Sequence, residues 1–382
     1  MENTLKLLIV AGETSGDSHA AAVMAELRKH ASPVAFFGIG GDKMIAQGLQ
    51  PLYHSSRLSF LGFTEVVRHL PFIAKVKREL LELVKREKIR TAVLVDYPGF
   101  NLNLAAALKK NGVRVVYYIS PQVWAWRKGR MKKIAARVDK MMTILPFEEA
   151  MYRQAGIDAE FVGHPLIEQI DEYPFRTKAE LYQKYELDPA KEILLILPGS
   201  RKQEVTRIFP AIREGIDRIT ATYNLQPVVV CAPAIDKAAL ESVSRGSLTI
   251  VHDDVYSFMK QAKFGIIKSG TSTLEAGLIG LPMIVVYKTS SVTYAIGKRV
   301  IEIDSISLVN IVLGKKVAPE LIQHEVSAKN LFATAAEFLS SPDKYSAYKA
   351  SLSALREVIG AKTAARRAAE IIIEEAHEDQ RN

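Results

Sequence analysis

Asp96 closes the apolar run TAVLVD and is followed by Tyr97-Pro98-Gly99-Phe100-Asn101. A carboxylate at the end of a buried strand is where a general base would take the proton of an attacking hydroxyl. The same carboxylate could instead cap the helix that follows the Pro98-Gly99 turn. Further along, LPGSRKQE sets Gly199 and Ser200 after an apolar run, with Arg201 next. A guanidinium there offers forked donors to a pyrophosphate at a helix start. KSGTSTLEA repeats the theme: Ser269, Gly270, Thr271, Ser272 and Thr273 open a helix whose free N–H groups can hold a phosphate. Glu275 lies about one turn further in, within reach of ribose hydroxyls. Ser272 and Glu275 also have capping-box spacing, so a plain helix cap accounts for the same pair. Two such loops in one half of the chain favour a nucleoside diphosphate ligand.

The first half carries weaker signals. Gly12-Glu13-Thr14-Ser15-Gly16-Asp17 follows the first apolar run, and Gly38-Ile39-Gly40-Gly41-Asp42 follows the second. Ser15, Gly16 and Asp17 form a candidate cleft loop, although tight turns with a helix cap use the same residues. Both tryptophans, Trp124 and Trp126, fall just past another apolar run and could stack on a sugar, meet acyl chains or pack between domains. The basic stretch containing Arg127 and Arg130 comes next, suited to phosphate or headgroup binding or to a solvated helix face. Residues 62–73 gather Val66, Val67, Leu70, Phe72 and Ile73 around Arg68 and His69, with Lys75, Lys77 and Arg78 behind. Core packing explains the apolar members, while the basic flank favours a segment lying in a membrane interface.

Several chemistries lack support. There is no complete G-x-x-x-x-G-K-[ST] and no G-x-G-x-x-G, which removes the usual signals for a P-loop and for a nicotinamide cofactor. No D-x-D, H-E-x-x-H or cysteine cluster occurs, so neither a metal nor another cofactor is expected. The single cysteine, Cys231, cannot form an internal disulfide, and a reducing compartment fits. The net charge of +9 favours anionic partners. Basic tracts interleaved with aromatics are scarce, so nucleic acid is not expected among them. No apolar run approaches the roughly 20 residues of a membrane-spanning helix. The expected protein is soluble, with an anionic membrane surface as a candidate contact.

These residues need a frame that brings strand ends together. Apolar runs at 5–11, 34–38, 91–96, 113–119 and 141–145 alternate with segments of helical period. The pattern resumes at 193–198, 228–231, 248–251, 264–267 and 283–287 after a polar stretch, 168–191, expected to be a linker and a short helix. The runs are continuous rather than alternating, as in parallel strands buried on both faces. The expectation is an α/β protein of two doubly wound, Rossmann-like domains, 1–167 and 190–350, facing across a cleft. An amphipathic C-terminal helix within 355–382 would pack back on the first domain or on a partner.

Taken in order, AGETSGD, VDYPGFN, SPQVWAWR, LPFE, VGHP, LPGSRKQEV, KSGTSTLEA and SLVNIVLG resemble the lipid-A-disaccharide synthase family from about residue 5 to about residue 320. Any one motif is weak; the ordered set is specific. The resemblance implies a GT-B fold and a metal-independent, inverting glycosyl transfer. The donor would be UDP-2,3-diacylglucosamine and the acceptor 2,3-diacylglucosamine 1-phosphate (lipid X), attacking through its 6-hydroxyl. Asp96 would be the base, Arg201 the diphosphate contact, and Glu275, the 269–273 turn and Asn310 nucleotide contacts. It also implies a peripheral position on the cytoplasmic face of the inner membrane and leaves a homodimer open. Thr14 replaces the family's usual alanine, and Tyr97-Pro98-Gly99-Phe100-Asn101 departs from its frequent A-P-D-F-N. The nearest rivals are other GT-B enzymes and UDP-N-acetylglucosamine epimerases, neither of which requires an acylated sugar nucleotide.

Overall fold

The computed structural model describes residues 4–31, 33–58, 70–123, 131–231, 248–290, 294, 304–360 and 364–381. They fall into two compact units, Met1–Pro165 with Ala361–Asn382, and Leu166–Gly360.

The first unit holds β1 (Leu5–Ala11), β2 (Val34–Gly40), β3 (Leu49–His54), β4 (Thr91–Val95), β5 (Arg114–Tyr118), β6 (Lys140–Thr143) and β7 (Ala159–Phe161). They form one sheet in the order β3-β2-β1-β4-β5-β6-β7, with every pair parallel. Alternate side chains of β1 serve opposite faces: Leu8 and Val10 enter one core, Leu7, Ile9 and Ala11 the other. The helices Leu70–Glu87 and Pro98–Lys110 cover the first face. Leu70–Glu87 buries Val76, Leu80, Leu83 and Val84, a spacing that makes one apolar stripe. Thr14–His30 covers the other face together with the last helix, Ala364–Arg381, which contributes Ala368, Ile371 and Ile372. Arg114 on β5 donates to Glu375 and Glu378, and Arg367 donates to Glu160 at 2.6 Å. The end of the chain thus completes the first unit, while the preceding helix, Pro342–Ile359, belongs to the second.

The second unit holds β8 (Glu192–Leu197), β9 (Leu225–Val230), β10 (Thr249–Val251), β11 (Ala262–Lys268), β12 (Met283–Tyr287) and β13 (Glu320–Ile322). Their order is β10-β9-β8-β11-β12-β13, again all parallel. Lys202–Tyr223 lays Val205, Ile208, Ile212, Ile216 and Ile219 on one face of this sheet. The stretch expected to be a linker folds onto this unit instead. Thr177 and Glu180 form a capping box for Lys178–Lys184, and Arg176 pairs with Asp254 at 2.8 Å.

Each sheet has one boundary where the strand order reverses, β1/β4 in the first and β8/β11 in the second. Loops leaving the carboxyl ends on either side of such a boundary diverge and leave a crevice.

Candidate functional site

The crevice of the first unit is built around Asp96, the residue after β4. The helix-cap alternative does not hold, because Tyr97 occupies the cap position of Pro98–Lys110 and no side chain caps that helix. Asp96 and Tyr97 both adopt left-handed backbone, with φ of 47° and 48°. Ile119, at the end of β5, does so too at φ 65°, unusual for a β-branched residue. Such strain persists only where neighbours over-determine it. Here the Asp96 carbonyl accepts from Asn101 Nδ2 at 2.8 Å and from Tyr117 Oη at 2.6 Å, while its N–H donates to Tyr118 O at 2.9 Å. Tyr97 Oη reaches Leu58 O at 2.8 Å, and its ring lies so close over Gly12 that a Cβ there would come within 2.4 Å. Gly12 is therefore required by the Asp96–Tyr97 turn. Burial, reinforced by the Glu13 charge, raises the Asp96 carboxyl to about 6, against the Tyr97 N–H, which lowers it.

Asp96 faces a cavity of about 490 Å³ that Pro98, Ser120, Pro121, Gln122 and Glu148 also line. Glu148 is buried, and Tyr152, donating to Pro121 O at 2.8 Å, fixes the loop above β5. Neither residue was singled out from sequence. Glu148 lies in LPFE, whose leucine and glutamate at cap spacing were the available signal.

The candidate cleft loop divides. Ser15 is exposed and Gly16 buried. Asp17 turns away to accept from the N–H groups of Gly41, Lys43 and Met44 at 2.7, 3.2 and 3.1 Å. Its carboxylate ties the loop after β1 to the loop after β2 and caps Asp42–Ala46. His164 is buried and held neutral, lowered to about 3 by burial and by His19.

The apolar set proposed for a membrane also divides. Phe72 and Ile73 pack against the core beneath Leu70–Glu87, and Phe72 meets Tyr53 edge-on at 5.5 Å. Both are only half-buried, at the edge of that core. Leu70 remains 53% exposed. Val66, Val67, Trp124, Trp126, Arg127 and Arg130 lie outside the described residues. Among the described residues no helix is long and apolar enough to cross a membrane, and no three metal-ligating side chains gather.

The second unit's crevice lies at the β8/β11 boundary. A cavity of about 430 Å³ is lined by Gly199 and Ser200 after β8, by Lys268 to Ser272 at the end of β11, and by Cys231, His252 and Glu275. The helices Lys202–Tyr223 and Thr271–Ile279 begin at these same two loops. Arg201 is exposed directly after Ser200, and its guanidinium has no partner among the described residues. Thr273 is fully buried and spends its hydroxyl on Gly270 O, and Ser269 spends its own on Ile306 O. Both shape the turn; Ser269, Thr271 and Ser272 border the cavity, and Thr273 does not. Glu275 accepts from Tyr256 Oη at 2.9 Å, and burial raises its carboxyl despite bonds from Tyr256 and Ser272.

Asn310 is not brought to this cavity. Its amide donates to Ala318 O and Glu320 Oε1 at 2.8 and 2.9 Å, and its oxygen accepts from Val317 and Ala318 N–H at 2.8 Å each. The whole amide is committed to the turn after Leu308–Leu313, where the family resemblance implied a nucleotide contact.

Two crevices of this kind, one with a tuned carboxyl and one with paired helix starts, accord with the comparisons. The family model described as lipid-A-disaccharide synthetase matches residues 7–376. The chain belongs to that family. The lipid-A-disaccharide synthase of Geobacter sulfurreducens is 38% identical over 378 residues, covering 98% of each chain. That of Syntrophus aciditrophicus is 40% identical over 374 residues, covering 96% of this chain and 97% of its own. Among solved structures, a putative UDP-N-acetylglucosamine 2-epimerase from Listeria monocytogenes aligns with TM-score 0.68 at 11% identity, covering 99% of this chain and 98% of its own. The glycotransferase of kitacinnamycin aligns with TM-score 0.67 at 14% identity, covering 98% and 100%. At these identities the likeness establishes the GT-B fold of two Rossmann-like domains and nothing finer.

Proposed function

We infer that this chain is a glycosyltransferase that moves 2,3-diacylglucosamine from UDP-2,3-diacylglucosamine to the 6-hydroxyl of 2,3-diacylglucosamine 1-phosphate. The products are the tetraacyl disaccharide 1-phosphate and UDP. Family membership across almost the whole chain carries this reading.

Residue roles follow from the two crevices. The acceptor oxygen attacks the anomeric carbon with inversion as the bond to the diphosphate breaks. Its proton passes to Asp96, and the electron pair leaves with UDP. A carboxyl raised to about 6 is still mostly ionised at neutral pH, and is a stronger base than an ordinary aspartate. The transition state has oxocarbenium character and builds negative charge on the departing diphosphate. Gly199, Ser200, Arg201 and the start of Thr271–Ile279 would receive that charge, and Glu275 would meet the ribose. The transfer is proposed to need no metal, since fixed donors supply the stabilisation.

The first unit is read as the acceptor side and the second as the donor side. Exposed Leu70, the basic balance of the chain, and Val66, Val67, Trp124, Trp126, Arg127 and Arg130 support a peripheral position on the inner membrane's cytoplasmic face. Flotation with anionic vesicles tests that position, and sedimentation equilibrium tests a homodimer. The reaction itself is tested by UDP release from purified protein, with each substrate omitted in turn. Release that requires both, with a disaccharide of the expected mass, is the expected result. Turnover of unacylated UDP-N-acetylglucosamine in their place would overturn it.

A further inference from the structure

The Lys268 ammonium, at the end of β11, lies 2.8 Å from Glu204 Oε1, and both side chains are about four-fifths buried, at 21% and 19% exposure. The other oxygen of the same carboxylate, Oε2, accepts from the N–H groups of Ser200 and Arg201 at 3.1 and 3.3 Å. Glu204 is thus seated on the loop after β8 while holding a lysine from the neighbouring strand end. The seat is tight: Gly199 sits at φ 127°, and a Cβ on it would come within 2.6 Å of Glu204 Oε2. The Tyr287 ring, 5.8 Å from the ammonium, borders it on another side. Lys268 also lines the cavity with Gly199, Ser200 and Thr271. An ammonium has three donors, and Glu204 is its one hydrogen-bonding partner among the described residues.

We propose that Lys268 is a further diphosphate-binding residue and that Glu204 positions it. This deepens the donor-site reading above and rests on it. Two helix starts supply fixed partial charges, and Arg201 supplies a guanidinium on an exposed stem. Lys268 adds an ammonium from within the cavity wall, its charge partly offset by Glu204, anchored on a strand rather than a loop. Its two remaining donors point the charge at the phosphate oxygens on which the leaving electron pair settles. Glu204 keeps the long side chain in one place, so that little rotamer freedom is lost when the diphosphate arrives.

The experiment is calorimetric binding of UDP and of uridine to the full chain and to its Lys268→Met, Lys268→Arg and Glu204→Gln variants, with melting temperatures measured alongside. Wild type should prefer UDP strongly over uridine. Lys268→Met should cut that preference about tenfold or more, as a lost charged hydrogen bond does, while leaving uridine affinity unchanged. Lys268→Arg should restore part of it, and Glu204→Gln should fall between. A purely structural pair would lower the melting temperature of Lys268→Met without moving the UDP-to-uridine ratio, and that result overturns the proposal. Wild type that binds UDP no better than uridine overturns both the proposal and the donor-site reading beneath it.

Discussion

The two crevices stand at equivalent places, each at the reversal of strand order in a parallel sheet, yet they are built by opposite means. Around Asp96 the backbone is strained at three non-glycine residues, and a single carboxyl is lifted by burial, with no cation beside it among the described residues. At the β8/β11 boundary, glycines and small hydroxyl residues open two helices, and Arg201 and Lys268 bring positive charge. In the proposed reaction the first arrangement would move one proton and the second would receive a polyanion. On that reading, one fold element would serve proton transfer or charge stabilisation according to which residues follow the strand.

Changes on the two sides should therefore fail differently. The largest loss is expected from Asp96→Ala, which should cut kcat by about 10²–10⁴ in steady-state assays of disaccharide formation. Arg201→Ala should cost about 10²-fold in kcat/KM for the donor, much of it through KM, because its contact begins in the bound complex. An unchanged donor KM and rate would remove Arg201 from the diphosphate. The pH profile sharpens the contrast further. Activity should fall about tenfold per unit below pH 6 as Asp96 gains its proton, whereas UDP binding should follow the nucleotide's own terminal phosphate, whose second pKa is about 6. The smallest effect on catalysis belongs to Asn310→Ala. It breaks four hydrogen bonds, two of them buried, and should destabilise the second unit by roughly 2–4 kcal/mol in denaturant titrations, with the donor KM little changed.

The sheets were legible wherever a strand lies inside its sheet, because burial on both faces demands a continuous apolar run. Leu5–Ala11 and Met283–Tyr287 match the runs seen in sequence residue for residue. The strands that escaped notice, Leu49–His54, Ala159–Phe161 and Glu320–Ile322, are all edge strands. An edge needs neither length nor a full apolar pattern, and it admits Pro51, which lacks a ladder donor. Side-chain direction was harder to read than position. Asp17 sits in a polar, glycine-flanked motif and Asn310 among the apolar residues of SLVNIVLG, yet both spend polar atoms on backbone groups of neighbouring segments, Asn310 also on Glu320. Phe72 and Ile73 have the basic flanks expected of a membrane segment, and the contact they make with the core's edge does not show in that pattern. Glu204 was visible as a glutamate three residues after Arg201. What the spacing could not show is that its second oxygen holds a lysine more than sixty positions away.

The central claim is that proton transfer and diphosphate binding belong to separate crevices, and Asp96→Asn tests it most directly. At the folded-state value of about 6 the carboxyl lies above its usual 3.8, so its contribution to stability is lost as pH rises through that window. Removing the charge should then stabilise the protein at pH 7.5, on the order of 1–3 kcal/mol, which guards against mistaking unfolding for lost catalysis. The measurement is UDP affinity and disaccharide formation on the same Asp96→Asn preparation. Wild-type affinity for UDP with no disaccharide formed is the predicted result. Turnover within about tenfold of wild type, or loss of UDP binding in the folded variant, would contradict the separation.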